Sequence, residues 1–134
     1  MPFIAGVDSS TQSTKIEIRD LASGEVIASS SAPHPDVVAP VSEQDPESWW
    51  TAFNTAWIEA GAPTVAAISV AGQQHGMVAL DQDAAPVHPA KLWNDTESAP
   101  DAENLKVRLG GPAAWANAVG SVPVAAFTVT KLAW

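Results

Sequence analysis

The stretch FIAGVDSSTQSTKIEIRD, residues 3–20, limits the fold more than any other part of the chain. An apolar run from Phe3 to Val7 ends on Asp8. Four small or polar residues follow, Ser9 to Gln12, and then Thr14, Ile16 and Ile18 alternate with Lys15, Glu17 and Arg19. A period of two is a strand with one buried and one wet face. So short a polar link between two strands predicts a hairpin. LASGEVIASSSA adds a turn at Gly24 and a third strand, Glu25 to Ser30. The chain therefore opens as a three-stranded meander, with one acid at the end of its first strand.

Residues 33–46 are rich in proline and are predicted as a surface loop. DPESWWTAFNTAWIEAG follows as a helix: Asp45 caps it, Pro46 takes the first helical position and Gly61 stops it. Trp50, Phe53 and Trp57 share one face of that helix and are expected in the core. Thr64 to Gly72, TVAAISVAG, is apolar nearly throughout, and such strands are usually buried on both faces of an α/β sheet. GMVALDQDAAPVHPAKLW predicts a second hairpin that turns near Asp81 to Pro86, and residues 97–109 a second helix stopped by Gly110 and Gly111. In FTVTKLAW, Phe127, Lys131 and Trp134 fall at helical spacing with no stop signal after them. That open helical end, and a strand count short for a finished α/β sheet, suggest the front part of something longer.

With 134 residues, one domain is the natural count, and such a chain can bury about two-thirds of its unfolded surface. No apolar run reaches the ~18 residues of a membrane span, and MPFIAGVD lacks the basic start and long apolar core of a secretory signal. The absence of cysteine removes disulfides, thiolate metal sites and a thiol nucleophile, and is compatible with the cytoplasm. A net charge of −9 without a basic stripe argues against nucleic acid as a partner.

Three places carry chemistry. A turn after Asp8 offers backbone N–H groups to phosphate oxygens. The carboxylate cannot hold phosphate itself, but it can hold Mg²⁺ or its waters, and Lys15 adds positive charge. From the residues alone, Asp8 serves equally as a turn cap. Gln73, Gln74 and His75 follow the fourth strand, where ligands bind in open α/β sheets; amide and imidazole groups both donate and accept, which suits sugar hydroxyls. An ordinary polar loop has the same composition. Trp93, Asn94 and Asp95 in KLWNDTES combine an apolar face with short polar groups, as sugar pockets do, or form a buried Trp and a helix cap. His34 and His88 lie beside prolines and receive no role. No zinc spacing, GxSxG elbow or GxxxxGK[ST] loop is present.

Together GVDSSTQSTK, SEQDPESWW, AGQQHGMVALD, LWND and FTVTKLAW resemble, in order and over nearly the whole chain, the motifs of the FGGY carbohydrate kinases, and within them the xylulokinase branch. The resemblance implies an actin-like, ribonuclease-H-like α/β fold, here incomplete at its C-terminal end. It implies ATP-dependent phosphorylation of D-xylulose to D-xylulose 5-phosphate, with ATP and Mg²⁺ as cofactors and a pentulose as partner, in the cytoplasm, with a homodimer as a possible state. Asp8 then resembles the catalytic residue that organises the metal and phosphates, with Ser10, Thr11 and Lys15 binding phosphate. Gln74 and His75 stand where xylulokinases contact the sugar, and Trp93, Asn94 and Asp95 line its pocket. Glycerol-specific relatives carry an Arg-Glu pair at that first position, so the neutral pair favours a pentulose. Ser10 stands where many members have glycine, Gln74 where methionine is frequent, and Glu97 where the WNDxR pattern is basic. The family's general-base aspartate and ATP-binding domain are expected beyond residue 134, so the isolated chain is expected not to turn over. The alternatives are another FGGY kinase, acting on ribulose, gluconate or a polyol, and a catalytically silent sugar-binding fragment.

Overall fold

The computed structural model describes residues 2–134. In chain order the elements are β1 (Phe3–Ser9), β2 (Ser13–Asp20), β3 (Val26–Pro33), β4 (Glu43–Gln44), α1 (Pro46–Glu59), β5 (Val65–Gly72), β6 (Ala90–Lys91), α2 (Ala99–Arg108), α3 (Pro112–Val119) and α4 (Thr128–Ala133). Contacts divide the chain into two units: one runs to Asp36 and resumes over Asp45–Gln73, the other holds Val37–Gln44 and Gln74–Trp134.

The first unit is a sheet in the order β3-β2-β1-β5, with α1 packed on β2 and β3. β1 and β2 form the expected antiparallel hairpin, in a register that sets Asp8 opposite Lys15 and Ser9 opposite Thr14. β5 runs parallel to β1 on its other side. The alternation in β2 is realised: Thr14, Ile16 and Ile18 are buried, and Lys15 and Arg19 are exposed. Ile16 and Ile18 meet Ala5, Val7 and Ala32 from the sheet and Ala52, Ala56 and Ala60 from the α1 segment. Burying each isoleucine contributes about 2 kcal/mol.

α1 begins as its sequence predicts, with Asp45 Oδ1 accepting the Glu47 N–H (3.0 Å) and Pro46 at the first helical position. Its buried stripe differs from the expected one. The buried helical residues are Ala52 and Ala56, whereas Trp50 is 61% exposed. Trp50, Phe53 and Trp57 stack along the flank, ring centroids 5.1 and 5.8 Å apart, with Phe53 and Trp57 partly buried against the core. Small side chains let the helix approach the sheet closely enough for Ser30 Oγ to donate to Ala56 O at 2.6 Å.

β5 is also a correction. Instead of being buried on both faces it is exposed along nearly its whole length, with Ile68 at 49% and Val70 at 64%. The reason is its place in the sheet. Ile68 and Val70 pair with Ala5 and Val7 and so share their face, but α1 covers β2 and β3. Among the described residues nothing pairs with the outer edge of β5.

In the second unit, part of the proline-rich stretch is strand: β4 pairs antiparallel with β6, Glu43 opposite Lys91. The second hairpin is irregular, with bridges Met77–Lys91 and Leu80–Pro86, and Asp81 Oδ1 closes its turn by accepting from the N–H groups of Asp83 and Ala85. α2 ends at Gly110 and Gly111, whose φ angles of 94° and 100° favour glycine. α3, which begins at Pro112, was not foreseen; its eight residues give little periodicity to read. α4 lies where FTVTKLAW predicts a helix.

A free parallel edge with apolar side chains beside it is a template for association. The 134-residue chain is expected to associate with rising concentration in light scattering, and Ile68→Lys to reduce that association. A monodisperse monomer at all concentrations would contradict this.

Candidate functional site

The first unit presents the β1–β2 hairpin tip. Asp8 and Lys15 face each other in register, both exposed. They border a groove of about 670 Å³ that also takes in Gly6, Glu17, Ser29 and Ser31. Ser10 turns inward: its N–H (3.0 Å) and its hydroxyl (3.3 Å) both donate to Ser13 O. The Thr11 hydroxyl donates to Gln73 Oε1 at 3.2 Å, and Gln73 Nε2 donates to Ser10 O at 3.3 Å. Sequence reasoning grouped Gln73 with the sugar loop; its side chain holds the hairpin tip. It also passed over His34, whose N–H donates to Gln12 O (2.8 Å) and whose Nε2 lies 2.8 Å from Thr14 Oγ1.

The second unit holds the other predicted residues. Met77 and Lys91 exchange both backbone hydrogen bonds, 2.9 and 3.1 Å, as an antiparallel pair. That bridge brings His75, two residues before Met77, to the same end of the pairing as Trp93, two residues after Lys91. Gln74 and His75 are exposed. His75 has φ 61°, a left-handed conformation that costs a non-glycine residue about 1–2 kcal/mol, and its ring stacks on Phe127, centroids 4.6 Å apart. Trp93 is half-exposed, and Asn94 Oδ1 is buried without a hydrogen-bond partner among the described residues.

Asp95 behaves differently from its neighbours. It is buried, and its carboxylate accepts from the Ser42 N–H (2.9 Å) and the Glu97 N–H (3.1 Å). Those bonds make it the brace of the loop that carries Trp93 and Asn94 rather than a group that reaches a sugar. Beside it lies a cluster that sequence reasoning missed. Lys91 is 0% exposed; its Nζ lies 2.8 Å from Glu43, 2.7 Å from Glu97 and 3.5 Å from Asp95, under the Trp134 ring at 3.7 Å. The three carboxylates are close enough to hold a metal ion, but the ammonium already stands among them as their cation. Glu97, a charge reversal against the motif, is a partner of Lys91. The only hint in the sequence is a lysine set in the apolar run AKLW.

Lys131, also buried, donates to the carbonyls of Ala125 (2.9 Å) and Asp95 (3.3 Å), while the Thr130 hydroxyl donates to Phe127 O at 2.7 Å. FTVTKLAW thus braces both the Asp95 loop and the Phe127 ring that meets His75.

The two lysines shift in opposite directions. Burial alone would push the Lys91 ammonium down, but hydrogen bonds to Glu43 and Glu97 and the charge of Asp95 outweigh it, and its pKa lies above 10.5. Burial pushes Lys131 below 10.5; the Asp95 charge offsets this in part and the Lys91 charge adds to it. A raised group gives stability that is present below the unfolded pKa of 10.5 and is lost as pH rises through the folded value. A lowered lysine does the reverse: between its folded pKa and 10.5 the unfolded chain binds more protons, so stability rises with pH.

Comparison with known proteins gives these sites a context. The family model for the N-terminal domain of the FGGY family of carbohydrate kinases matches residues 3–134. A xylulose kinase of Streptomyces coelicolor is 53% identical over 135 residues, covering 99% of this chain and 28% of that protein. One from an Arthrobacter species is 55% identical over 100 residues, 74% of this chain and 100% of that protein. The crystal structure of xylulose kinase from Bifidobacterium adolescentis superposes with a TM-score of 0.92 at 42% identity, covering 99% of this chain and 29% of that one. The chain thus spans 28–29% of the length of the Streptomyces coelicolor and Bifidobacterium adolescentis proteins, and it has the actin-like, ribonuclease-H-like α/β fold of these kinases.

Lys91→Met should leave three carboxylates without their cation and destabilise the chain by about 3 kcal/mol in urea unfolding, against about 1 kcal/mol for Glu97→Gln. In the same measurement taken against pH, Lys131→Met should flatten the rise in stability in the alkaline range below 10.5. An unaltered slope would contradict the assigned direction.

Proposed function

The chain belongs to the FGGY family of carbohydrate kinases, and on that premise we propose that it supplies the first phosphate loop and part of the sugar site of an enzyme that phosphorylates D-xylulose with ATP, giving D-xylulose 5-phosphate. The observation that carries this reading is the antiparallel Met77–Lys91 bridge, whose register brings the neutral Gln74–His75 segment and the Trp93–Asn94 loop to one end of the pairing. An exposed imidazole and amide, together with a half-exposed indole, suit a polyhydroxylated chain: the indole takes the C–H face, and the others exchange hydrogen bonds with hydroxyls. A charged pair at Gln74 and His75 would favour another substrate, so their neutrality supports a pentulose over glycerol.

At the hairpin tip, Asp8 is the residue fitted to hold hydrated Mg²⁺: an exposed carboxylate at the end of a strand, with Lys15 opposite. The ion, when bound, shields phosphate charge and draws electron density from the transferring phosphoryl group. Lys15 faces the same anion as a charge and Thr11 through the backbone of the turn, its hydroxyl being held by Gln73 Oε1, while Ser10 holds the turn's shape by its bonds to Ser13 O. The proton of the sugar's 5-hydroxyl goes, in this reading, to a base outside these residues, so the chain alone binds sugar without turnover. The same reading puts the protein in the cytoplasm, where its ATP is made, and allows a homodimer. No helix among the described residues is long and apolar enough to cross a membrane.

Calorimetry of the chain with xylulose, ribulose, gluconate and glycerol tests the sugar half. Xylulose should bind best, and His75→Ala should weaken it about tenfold, the factor one net hydrogen bond commands. Tighter binding of another sugar would move the assignment within the family. Phosphorylation by the chain alone would overturn the division of labour.

A further inference from the structure

We propose that His34 and Gln73 are positioning residues that clamp the hairpin turn of residues 9–13 from its two sides and so preset it for phosphate; the phosphate end of this rests on the function proposed above. Two strands finish beside that turn: β3 leads into His34, and β5 into Gln73. Neither residue was given this part by sequence reasoning.

From the β3 side, His34 is 5% exposed. Its backbone N–H holds Gln12 O at 2.8 Å, and its Nε2 lies 2.8 Å from Thr14 Oγ1. The Thr14 hydroxyl donates in turn to Ser9 Oγ at 3.3 Å. A hydroxyl has one hydrogen, so Thr14 Oγ1 must accept from the ring, which makes His34 the Nε2–H tautomer. Nδ1 is then the bare nitrogen. Its surroundings agree: it is buried with no hydrogen-bond partner among the described residues, and a buried N–H there would be the costlier orphan. The donors therefore run one way, from His34 to Thr14 to Ser9.

From the β5 side, one amide does two things. Gln73 Oε1 accepts the Thr11 hydroxyl and Nε2 donates to Ser10 O. Ser9, Ser10, Thr11 and Gln12 each thus have a polar group held by one of the two residues, directly or through Thr14. A turn tied in this way loses little further entropy when an anion arrives, which is what preorganisation gives a binding loop.

The wild-type chain decides the His34 arm, through long-range proton–nitrogen correlation of its imidazole. The Nε2–H form of the neutral ring is expected; the Nδ1–H form overturns it. Hydrogen exchange tests the clamp itself. Gln73→Met and Thr14→Val keep side-chain shape but lose the hydrogen bonds, and each should speed exchange of the Ser10 amide, which donates to Ser13 O across the turn, about tenfold while β1 and β2 stay protected. His34→Gln, whose amide nitrogen reaches the place of Nε2, should keep the slow exchange that His34→Leu loses. Unchanged exchange in all of these variants overturns the clamp. Titration of the wild type with Mg²⁺·ATP separates this from the functional reading: turn amides that do not shift refute the phosphate assignment, and the tautomer and exchange results still decide the clamp.

Discussion

Everything at the hairpin tip depends on β1 lying between β2 and β5. β1 is antiparallel to one neighbour and parallel to the other. The tip of the β1–β2 hairpin and the C-terminal end of β5 must therefore fall at the same edge of the sheet. That single constraint brings Gln73 beside Thr11. The same register sets Asp8 opposite Lys15 on the open face while Ser9 and Thr14 share the other. The charged pair and the apolar core thus fall on opposite faces of one short hairpin.

The second unit is held differently. Its buried apolar side chains are few, Ala90, Leu92 and Ala102 among them, while Lys91, Asp95, Ser98, Thr130 and Lys131 are buried with them. Polar groups take over the part that a larger apolar core would play, at the cost of needing every partner in place. Lys91 draws Glu43 from β4 and Glu97 from beyond β6 to one point, and Lys131 joins two carbonyls far apart in sequence. The geometry of Trp93 and Asn94 is set by these charges rather than by packing alone.

What was legible in the sequence was whatever repeats locally. Thr14, Ile16 and Ile18 gave their face away by alternation, and Asp45–Pro46 the start of α1, because the forces involved act within a few residues. The motif order identified the family from the same residues. What was illegible depended on distant partners. Trp50, Phe53 and Trp57 define a helix face but do not say whether the sheet meets that face or the alanine one beside it. β5 is as apolar as a buried strand, and its exposure follows from which strands α1 covers. Lys91 reads as a surface residue until Glu43, Asp95 and Glu97 are brought around it. His34 reads as a proline-flanked loop residue until the β2–β3 register carries it to Gln12 and Thr14.

The parallel pairing of β5 also has a consequence in time. The bond between Thr14 and His34 closes a separation of 20 residues within the opening meander, whereas that between Thr11 and Gln73 closes one of 62. The longer closure costs about 1 kcal/mol more chain entropy, and non-local parallel pairing is intrinsically slow. During folding the meander with its His34 contact can assemble first, and β5 docks onto an existing hairpin. The turn then acquires its second support only when the last strand of its sheet arrives.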